Sequence, residues 1–258
     1  MQELSYSSIF NNEFLLTLSN WQNGWQENQE RRREIGSKLV EQCSSLPSEF
    51  RVYNSPCYRK RFLIEGELKP ILLDGEMFEG IASWTTDLDY AKKFKGFLKP
   101  NTKFAIVFKH TPLEDEIIVN IPALWQNAEF TNAVEKFKTE SPENARALFN
   151  FKDYQSEIIL KSTLRGNEIE DMVSISSSFD KLCDQLRIAE QDRNDLSKKY
   201  ERNPDGIPIE LPTFAGSKAT QKAVRNTISQ MKARLSLAEE NNIPIIWGSN
   251  YLKEKEDL

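Results

Sequence analysis

The apolar residues in the first fifty positions recur at helical spacing. One stripe, predicting a first helix, consists of Leu15, Leu16, Leu18 and Trp21. A second stripe predicts a second helix through Trp25, Ile35, Leu39 and Val40. The run Arg31–Arg33 in that helix lies among glutamates, which favours a solvated face; phosphate binding is the alternative interpretation.

From Phe50 onward the pattern changes to short apolar runs of strand type. Strands are predicted at Arg51–Tyr53, Tyr58–Ile64, Ile71–Leu73, Lys103–Lys109, Glu116–Ile121 and Ile158–Thr163. Ile169–Ile175 follows the turn Arg165–Asn167 and is predicted to pair with the preceding strand as a hairpin. The middle of the chain is therefore expected to build a β-rich core.

Helical patterns return at three places. Thr86 is predicted to cap a short helix whose buried stripe contains Leu88, Ala91 and Phe94. Helices are also expected between Pro122 and Phe149, one of them opening with Ser141 as cap and Pro142 in first position. Beyond residue 176 we predict one helix from Ser178 and another over about residues 219–240.

Composition narrows the class of protein. The 258 residues carry 34 basic and 39 acidic side chains, a net charge of −5, so no global cationic field indicates nucleic-acid or membrane binding. No apolar run is long enough to cross a bilayer, and no secretory signal is evident, so we expect a soluble, cytoplasmic protein without a membrane partner. No phosphate-binding loop of Walker or Rossmann type is present in the sequence.

The chain has too few cysteines and histidines for a disulfide framework or a zinc site. Cys43, Cys57 and Cys183 are widely spaced and odd in number, so we expect reduced, packed thiols and no metal. His110 is the only histidine and precedes a Thr-Pro turn, which favours a surface or turn position.

Three polar groups remain as candidates for chemistry. Read as the start of a strand, Gln155 and Glu157 share one face and present an amide beside a carboxylate. Ser83 and Thr85 share a face of a strand that runs into the helix capped by Thr86. Arg59 follows Tyr58 in a strand-like segment, and Arg61 shares its face, so spacing alone does not choose between the two arginines.

The order Arg, Ser-x-Thr, Gln-x-Glu resembles the mono-ADP-ribosyltransferases of the arginine-serine-glutamate class. The resemblance spans roughly residues 50–165, about half of the chain. It implies an α+β fold with a split core of two small, mainly antiparallel sheets around an NAD cleft. On this basis we assign residues 1–176 to a catalytic domain, in which residues 1–49 are helical and residues 50–176 form a β-rich core. Residues 177–258 are assigned to a helical C-terminal extension.

The resemblance also implies roles for individual residues. Glu157 would hydrogen-bond the ribose of NAD and stabilise the charge that develops there, while Gln155 would orient the acceptor. Arg59 is chosen for the NAD phosphates, because the family's arginine usually follows an aromatic residue on the first core strand. Ser83, supported by Thr85, would position the nicotinamide ribose and Glu157 itself. The segment Phe149–Tyr154 would form a mobile loop whose aromatic residues, Phe151 and Tyr154, touch the acceptor. NAD would be a co-substrate, and no metal would be required.

Gln155 carries the information on the acceptor. Arginine-modifying members usually have glutamate there, whereas glutamine resembles the Rho-modifying exoenzymes, which act on asparagine, and the pierisin-like toxins, which act on guanine. An amide pairs with another amide or with a base edge, so both protein and nucleic acid remain open. The pierisin-like pattern favours an aromatic residue three positions before the glutamine, where this chain has Lys152.

The class suggests a cytoplasmic toxin or an antiphage or phage effector, with an antitoxin or regulatory protein as a further partner. Two alternatives remain. One is an NAD glycohydrolase on the same fold, with water as acceptor. The other is a non-catalytic α+β binding or scaffold protein, in which these polar residues are unrelated surface features.

Overall fold

The computed structural model describes residues 9–24, 28–64, 66–95, 102, 104–152, 155–174, 183, 188–189, 191–193 and 214–241. Within these ranges the chain is α+β, as the sequence predicts. Helices are α1 (Asn12–Asn23), α2 (Gln29–Cys43), α3 (Leu88–Lys93), α4 (Ile121–Gln126), α5 (Ala128–Glu140), α6 (Pro142–Phe151) and α7 (Ser217–Glu240). Strands are β1 (Cys57–Leu63), β2 (Glu76–Thr85), β3 (Phe104–His110), β4 (Ile117–Asn120), β5 (Glu157–Arg165) and β6 (Ile169–Ser174).

The strands form one six-stranded sheet in the order β4-β5-β2-β1-β3-β6. The pairs β1–β2, β3–β6 and β4–β5 are antiparallel. Two sheets were expected from the resemblance, whereas the hydrogen-bond ladder joins all six strands into one. Strand neighbours are chosen by long-range pairing, which the local apolar pattern does not record.

Two predicted strands and one predicted hairpin are wrong. Arg51–Tyr53 is not a strand, and Ile71–Leu73 lies in a helical turn, Pro70–Asp74. A short apolar run fits a buried helical turn as well as a strand, so periodicity cannot separate them. β6 pairs with β3, with Ala105 opposite Val173, and is not the hairpin partner of β5.

The chain divides into two compact units. The first contains residues 1–58, 79–90 and 110–162, and the second contains residues 59–78, 91–109 and 163–258. Among the described residues, no helix is both long and apolar enough to span a bilayer.

The first unit is built around helices α1, α2, α5 and α6. The side chain of Asn11 accepts a hydrogen bond from the backbone N–H of Phe14 and so caps α1. The helix ends at Gly24, whose φ of 79° is a conformation that glycine adopts readily. The buried face of α1 includes Phe14, Leu15, Leu18 and Trp21 and belongs to a core shared with α2, α4, α5, α6, β4 and β5. Helix α1 contacts α2 and α6 directly.

The arginine run of α2 is only partly a solvated face. Arg31 and Arg33 are exposed, as predicted. The guanidinium of Arg32 instead donates to the backbone carbonyls of Glu79 and Ile81, at 3.0 and 2.8 Å, and forms a 3.3 Å ion pair with the Glu79 carboxylate. The side chain of Glu79 is 2 % exposed, so this pair is buried. The ion pair ties α2 to β2.

The second unit holds helix α7 against β6 and the turn Pro70–Asp74. The carboxylate of Asp171 on β6 is 1 % exposed and accepts hydrogen bonds from the backbone N–H of Gly216 at 2.9 Å and the hydroxyl of Thr220 at 3.2 Å. Its other oxygen forms an ion pair with Lys92 at 2.8 Å. Asp171 therefore anchors the start of α7. The proposed domain boundary at residue 176 stays a prediction, and the helix predicted from Ser178 falls outside the described ranges.

The side chains of Cys43, Cys57 and Cys183 are buried thiols, which confirms the prediction that they are packed in the protein interior. The expectation for His110 is wrong, because its side chain is buried at the end of β3. Its Nε2 lies 2.7 Å from Glu116 Oε2, its ring lies against Trp84, and the Sγ of Cys57 donates to its backbone carbonyl. The Thr-Pro signal marked the end of the strand correctly but did not reveal this burial.

Candidate active site

Strand β2 and the start of β5 bring four of the predicted site residues together in the first unit. Ser83 and Thr85 lie at the end of β2, Gln155 lies just before β5, and Glu157 is the first residue of β5. The backbone N–H of Thr86 donates to the carbonyl of Ser156 at 3.2 Å, which ties the two segments together. Residues about seventy positions apart thus meet at one place in the fold.

The Glu157 carboxylate is buried, with 3 % of the residue exposed. Oε1 accepts a hydrogen bond from the indole nitrogen of Trp21 at 3.2 Å, and Oε2 accepts one from the side-chain amide of Gln22 at 3.1 Å. Both donors come from the last turn of α1 and are uncharged. Burying a carboxylate is costly unless donors satisfy it, and these two residues supply donors.

Ser83 is connected to Glu157 through the same indole group. Trp21 Nε1 lies 3.0 Å from Ser83 Oγ, so one N–H is shared between the serine hydroxyl and the carboxylate. The resemblance predicts that Ser83 positions Glu157. In the structure, the indole N–H of Trp21 connects the two residues by hydrogen bonds to both.

Thr85 holds the backbone that precedes Glu157. Its hydroxyl donates to the carbonyl of Gln155 at 2.5 Å and accepts from the backbone N–H of Asp87 at 3.1 Å. Ser156, between Gln155 and Glu157, has a φ of 41°, a left-handed conformation that is uncommon for a residue other than glycine. Strand β5 therefore begins directly after a residue with an uncommon backbone conformation. The predicted strand alternation of Gln155 and Glu157 is wrong in detail, because β5 begins only at Glu157.

Tyr90, on α3, also belongs to this group. Burial raises the pKa of its phenol, a side-chain hydrogen bond with Gln155 lowers it, and the negative charge of Glu157 raises it. The net shift is upward, so the hydroxyl stays protonated at neutral pH and can donate a hydrogen bond. Asp87, rather than the predicted Thr86, caps α3 by accepting from the backbone N–H of Tyr90 at 3.0 Å. The cap moves by one residue because the helix begins at Leu88.

The remaining predicted site residues are Arg59, Phe151 and Tyr154. Arg59 directly follows Tyr58, which pairs with Thr85 of β2. Arg59 is on β1 in the second unit and is half-buried. Arg61, on the same strand, forms a 3.1 Å ion pair with Glu67. Tyr154 lies outside the described residues. Phe151 ends helix α6, so Phe149–Phe151 is helical and not the loop that the resemblance predicted.

Three residues near Glu157 were missed as site residues: Trp21, Gln22 and Tyr90. Trp21 fits the apolar stripe of α1, and that interpretation hid its indole N–H. A buried tryptophan usually has a hydrogen-bond partner, and this was the available signal. Nothing in the local pattern distinguishes Gln22 from other helical glutamines.

Within the described ranges, no group of three or more His, Cys, Asp or Glu side chains is arranged to hold a metal ion. Comparison of the chain with protein-family models, with curated proteins and with solved structures finds no match.

Proposed function

We propose that this protein is an NAD-dependent mono-ADP-ribosyltransferase that moves ADP-ribose to a macromolecular acceptor and releases nicotinamide. The observation that carries the proposal is the buried Glu157 carboxylate, which is linked through Trp21 to Ser83 and lies two residues after Gln155. The sequence resemblance requires the serine and the Gln-x-Glu segment to act together, and they lie together in one unit of the fold. We propose in addition that the α+β core of the chain is of the ADP-ribosyltransferase type.

The reaction breaks the bond between C1′ of the ribose and the nicotinamide nitrogen. The bonding pair leaves with nicotinamide, and positive charge develops on the ribose as an oxocarbenium-like species. A nucleophilic atom of the acceptor then bonds to C1′ and loses a proton. A carboxylate fixed in a site of low polarity stabilises such a charge strongly, because little water screens it. Glu157 is the group proposed for this task.

Trp21 and Thr85 are proposed as positioning residues. Trp21 fixes one carboxylate oxygen and the Ser83 hydroxyl with a single rigid indole group. Thr85 fixes the Gln155 carbonyl and thereby the backbone that leads into Glu157. In this proposal Ser83 holds the nicotinamide ribose, and Gln155 orients the acceptor.

The assignment of the NAD phosphates to Arg59 rests on the sequence pattern. A guanidinium offers a planar donor fork that suits phosphate oxygens. Arg61 has an identified partner in Glu67, which supports a structural role for that residue. Phe151 and Tyr154 remain proposed acceptor-contacting residues on the same sequence basis.

The acceptor is proposed to be a nucleic-acid base in RNA or DNA, or an Asn- or Gln-type protein side chain. The amide of Gln155 pairs with both chemistries. A role as a cytoplasmic toxin or as an antiphage or phage effector, controlled by an antitoxin or regulatory protein, follows from the class resemblance and is proposed with it.

The proposal is tested by incubating the purified protein with labelled NAD and cell lysate, then following label into protein, RNA and DNA fractions. We expect label in one fraction and nicotinamide release, both lost in Glu157→Gln. The matched control is Glu135→Gln, an exposed glutamate on α5, which should retain activity.

Two other outcomes would change the function assigned to the protein. Nicotinamide release without label in any macromolecule would favour the glycohydrolase. Folded wild-type protein that releases no nicotinamide would contradict the enzyme proposal and leave a binding protein.

A further inference from the structure

Gln22 has a buried side-chain oxygen with unused hydrogen-bonding capacity. Its Nε2 donates to Glu157 Oε2 at 3.1 Å. An ionised carboxylate only accepts hydrogen bonds, so the NH₂ group of the amide must face Glu157. This fixes the orientation of the amide and turns Oε1 away from the carboxylate. Oε1 is inaccessible to solvent and finds no donor among the residues that the structure describes.

Such an oxygen is unusual in a folded protein. Buried polar groups almost always have a hydrogen-bond partner, and a group left without one destabilises the fold. Gln22 lies one residue from the end of α1, beside the most buried carboxylate of the candidate site. A side chain used only for packing at this place would be better apolar. A ligand that supplies the missing donor accounts for the amide.

We propose that Gln22 is a substrate-binding residue whose Oε1 accepts a hydrogen bond from a hydroxyl of the nicotinamide ribose, next to the hydroxyl that Glu157 holds. The inference rests on the proposed function and adds to it a contact from outside the arginine-serine-glutamate motif. Because the Gln22 amide is hydrogen-bonded to the Glu157 carboxylate, its oxygen and the carboxylate oxygens are neighbouring acceptors. Two adjacent hydroxyl groups, as in a ribose, present two neighbouring donors.

The chemistry of this pair also selects against other parts of the substrate. A phosphate group brings negative charge and acceptor oxygens, and it would be repelled by Glu157 and unmatched by Gln22 Oε1. A sugar hydroxyl brings a donor and no charge. Of the phosphate and sugar groups of NAD, the sugar is therefore the one that fits at the end of α1.

The test compares ligands that differ in the terminal ribose. ADP-ribose carries this ribose and ADP lacks it, and neither contains the bond that the enzyme would cleave. Binding of both is measured by calorimetry to wild type, to Gln22→Met and to Asn23→Ala, an exposed neighbour on α1 that serves as the control. Methionine has a similar length and removes the amide oxygen.

We expect Gln22→Met to weaken ADP-ribose binding about tenfold, the usual effect of one lost hydrogen bond. ADP binding should be unchanged, and Asn23→Ala should bind both ligands as wild type does. Equal effects on ADP-ribose and ADP, or no effect on either, would overturn the assignment. If Gln22→Met does not fold, Gln22→Ala removes the same oxygen with less bulk and carries the same comparison.

A second readout separates ligand contact from positioning of Glu157. Trp21→Phe removes a donor to Glu157 but leaves Gln22 in place, so it should lower kcat with little change in ADP-ribose affinity. Gln22→Met should raise KM for NAD as well, and less so for an NAD analogue lacking one hydroxyl of the nicotinamide ribose. Identical kinetic signatures of the two variants would assign Gln22 to positioning alone. A wild-type protein that neither cleaves NAD nor binds ADP-ribose would instead overturn the proposed function itself.

Discussion

The indole nitrogen of Trp21 lies 3.2 Å from Oε1 of Glu157, although 136 positions separate the two residues in the chain. Trp21 is on the buried face of α1 and serves the core with its ring. Its indole N–H donates to the carboxylate and, at 3.0 Å, to the hydroxyl of Ser83. The N-terminal helix therefore belongs to the candidate active site.

Replacing Trp21 with phenylalanine should lower activity more than stability. The variant keeps an aromatic ring in the core but leaves one oxygen of a buried carboxylate short of a donor, which costs roughly 1–3 kcal/mol. If that cost falls on the transition state, kcat for nicotinamide release drops about 10- to 100-fold. Trp125→Phe, at a half-buried ring that contacts Phe130 and Phe149, is the control and should retain kcat. Equal rates in both variants would argue against a role for the indole N–H.

Replacing Arg32 with alanine should destabilise the protein strongly. The substitution removes the ion pair with the Glu79 carboxylate, which is 2 % exposed, and the hydrogen bonds to the backbone carbonyls of Glu79 and Ile81. Breaking a buried ion pair in this way costs roughly 3–5 kcal/mol. Arg31→Ala and Arg33→Ala, at exposed positions beside it, should change the free energy of unfolding by at most about 0.5 kcal/mol. Urea unfolding of the three variants checks this, and three similar midpoints would contradict the buried pair.

Replacing Asp171 with asparagine should loosen helix α7 within the second unit. The change removes the charge that pairs with Lys92 and weakens the hydrogen bonds from Gly216 and Thr220. Hydrogen bonds to a charged group contribute roughly 1.5–3 kcal/mol each, so amide exchange over Ser217–Glu240 should become faster. Glu170→Gln, at the adjacent half-buried position, is the control. Unchanged exchange in α7 would show that Asp171 does not anchor it.

Stability should fall steeply at alkaline pH, and Cys43 should contribute to this fall. Burial raises the pKa of this thiol from 9.0 to about 12. Between these values the unfolded chain loses the proton while the folded protein keeps it. The free energy of unfolding should therefore be unaffected by this group below pH 9 and decrease by roughly 1.4 kcal/mol per pH unit above it. Urea unfolding at several pH values above 9 should show that the free energy of unfolding depends less on pH in Cys43→Ala than in wild type, whatever the stability of the variant at pH 7. The same pH dependence in both proteins would contradict the raised pKa of Cys43.

Replacing Arg59 should affect NAD use more than replacing Arg61. If Arg59 binds the phosphates, Arg59→Lys keeps the charge but loses the bidentate fork and should raise KM for NAD. Arg61→Lys should mainly weaken the ion pair with Glu67, which is seen as a change in melting temperature. The reverse pattern would assign the phosphates to Arg61.

The sequence by itself determined the α+β class, helices α1, α2 and α7, strands β3 and β4, and the buried thiols. These features follow from local periodicity, helix-capping residues and the small number of cysteines. The sequence also selected Ser83, Thr85, Gln155 and Glu157, because their order along the chain resembles a known motif.

Only the tertiary structure decided which groups surround Glu157. The pairing of β6 with β3, the buried pair of Arg32 with Glu79, and the donors Trp21 and Gln22 all depend on contacts between distant segments. Local pattern records which face of an element is apolar, but a hydrogen bond depends on the direction of one polar atom after the elements have packed. That is why Trp21 is predictable as a core residue, whereas its role beside the carboxylate is not.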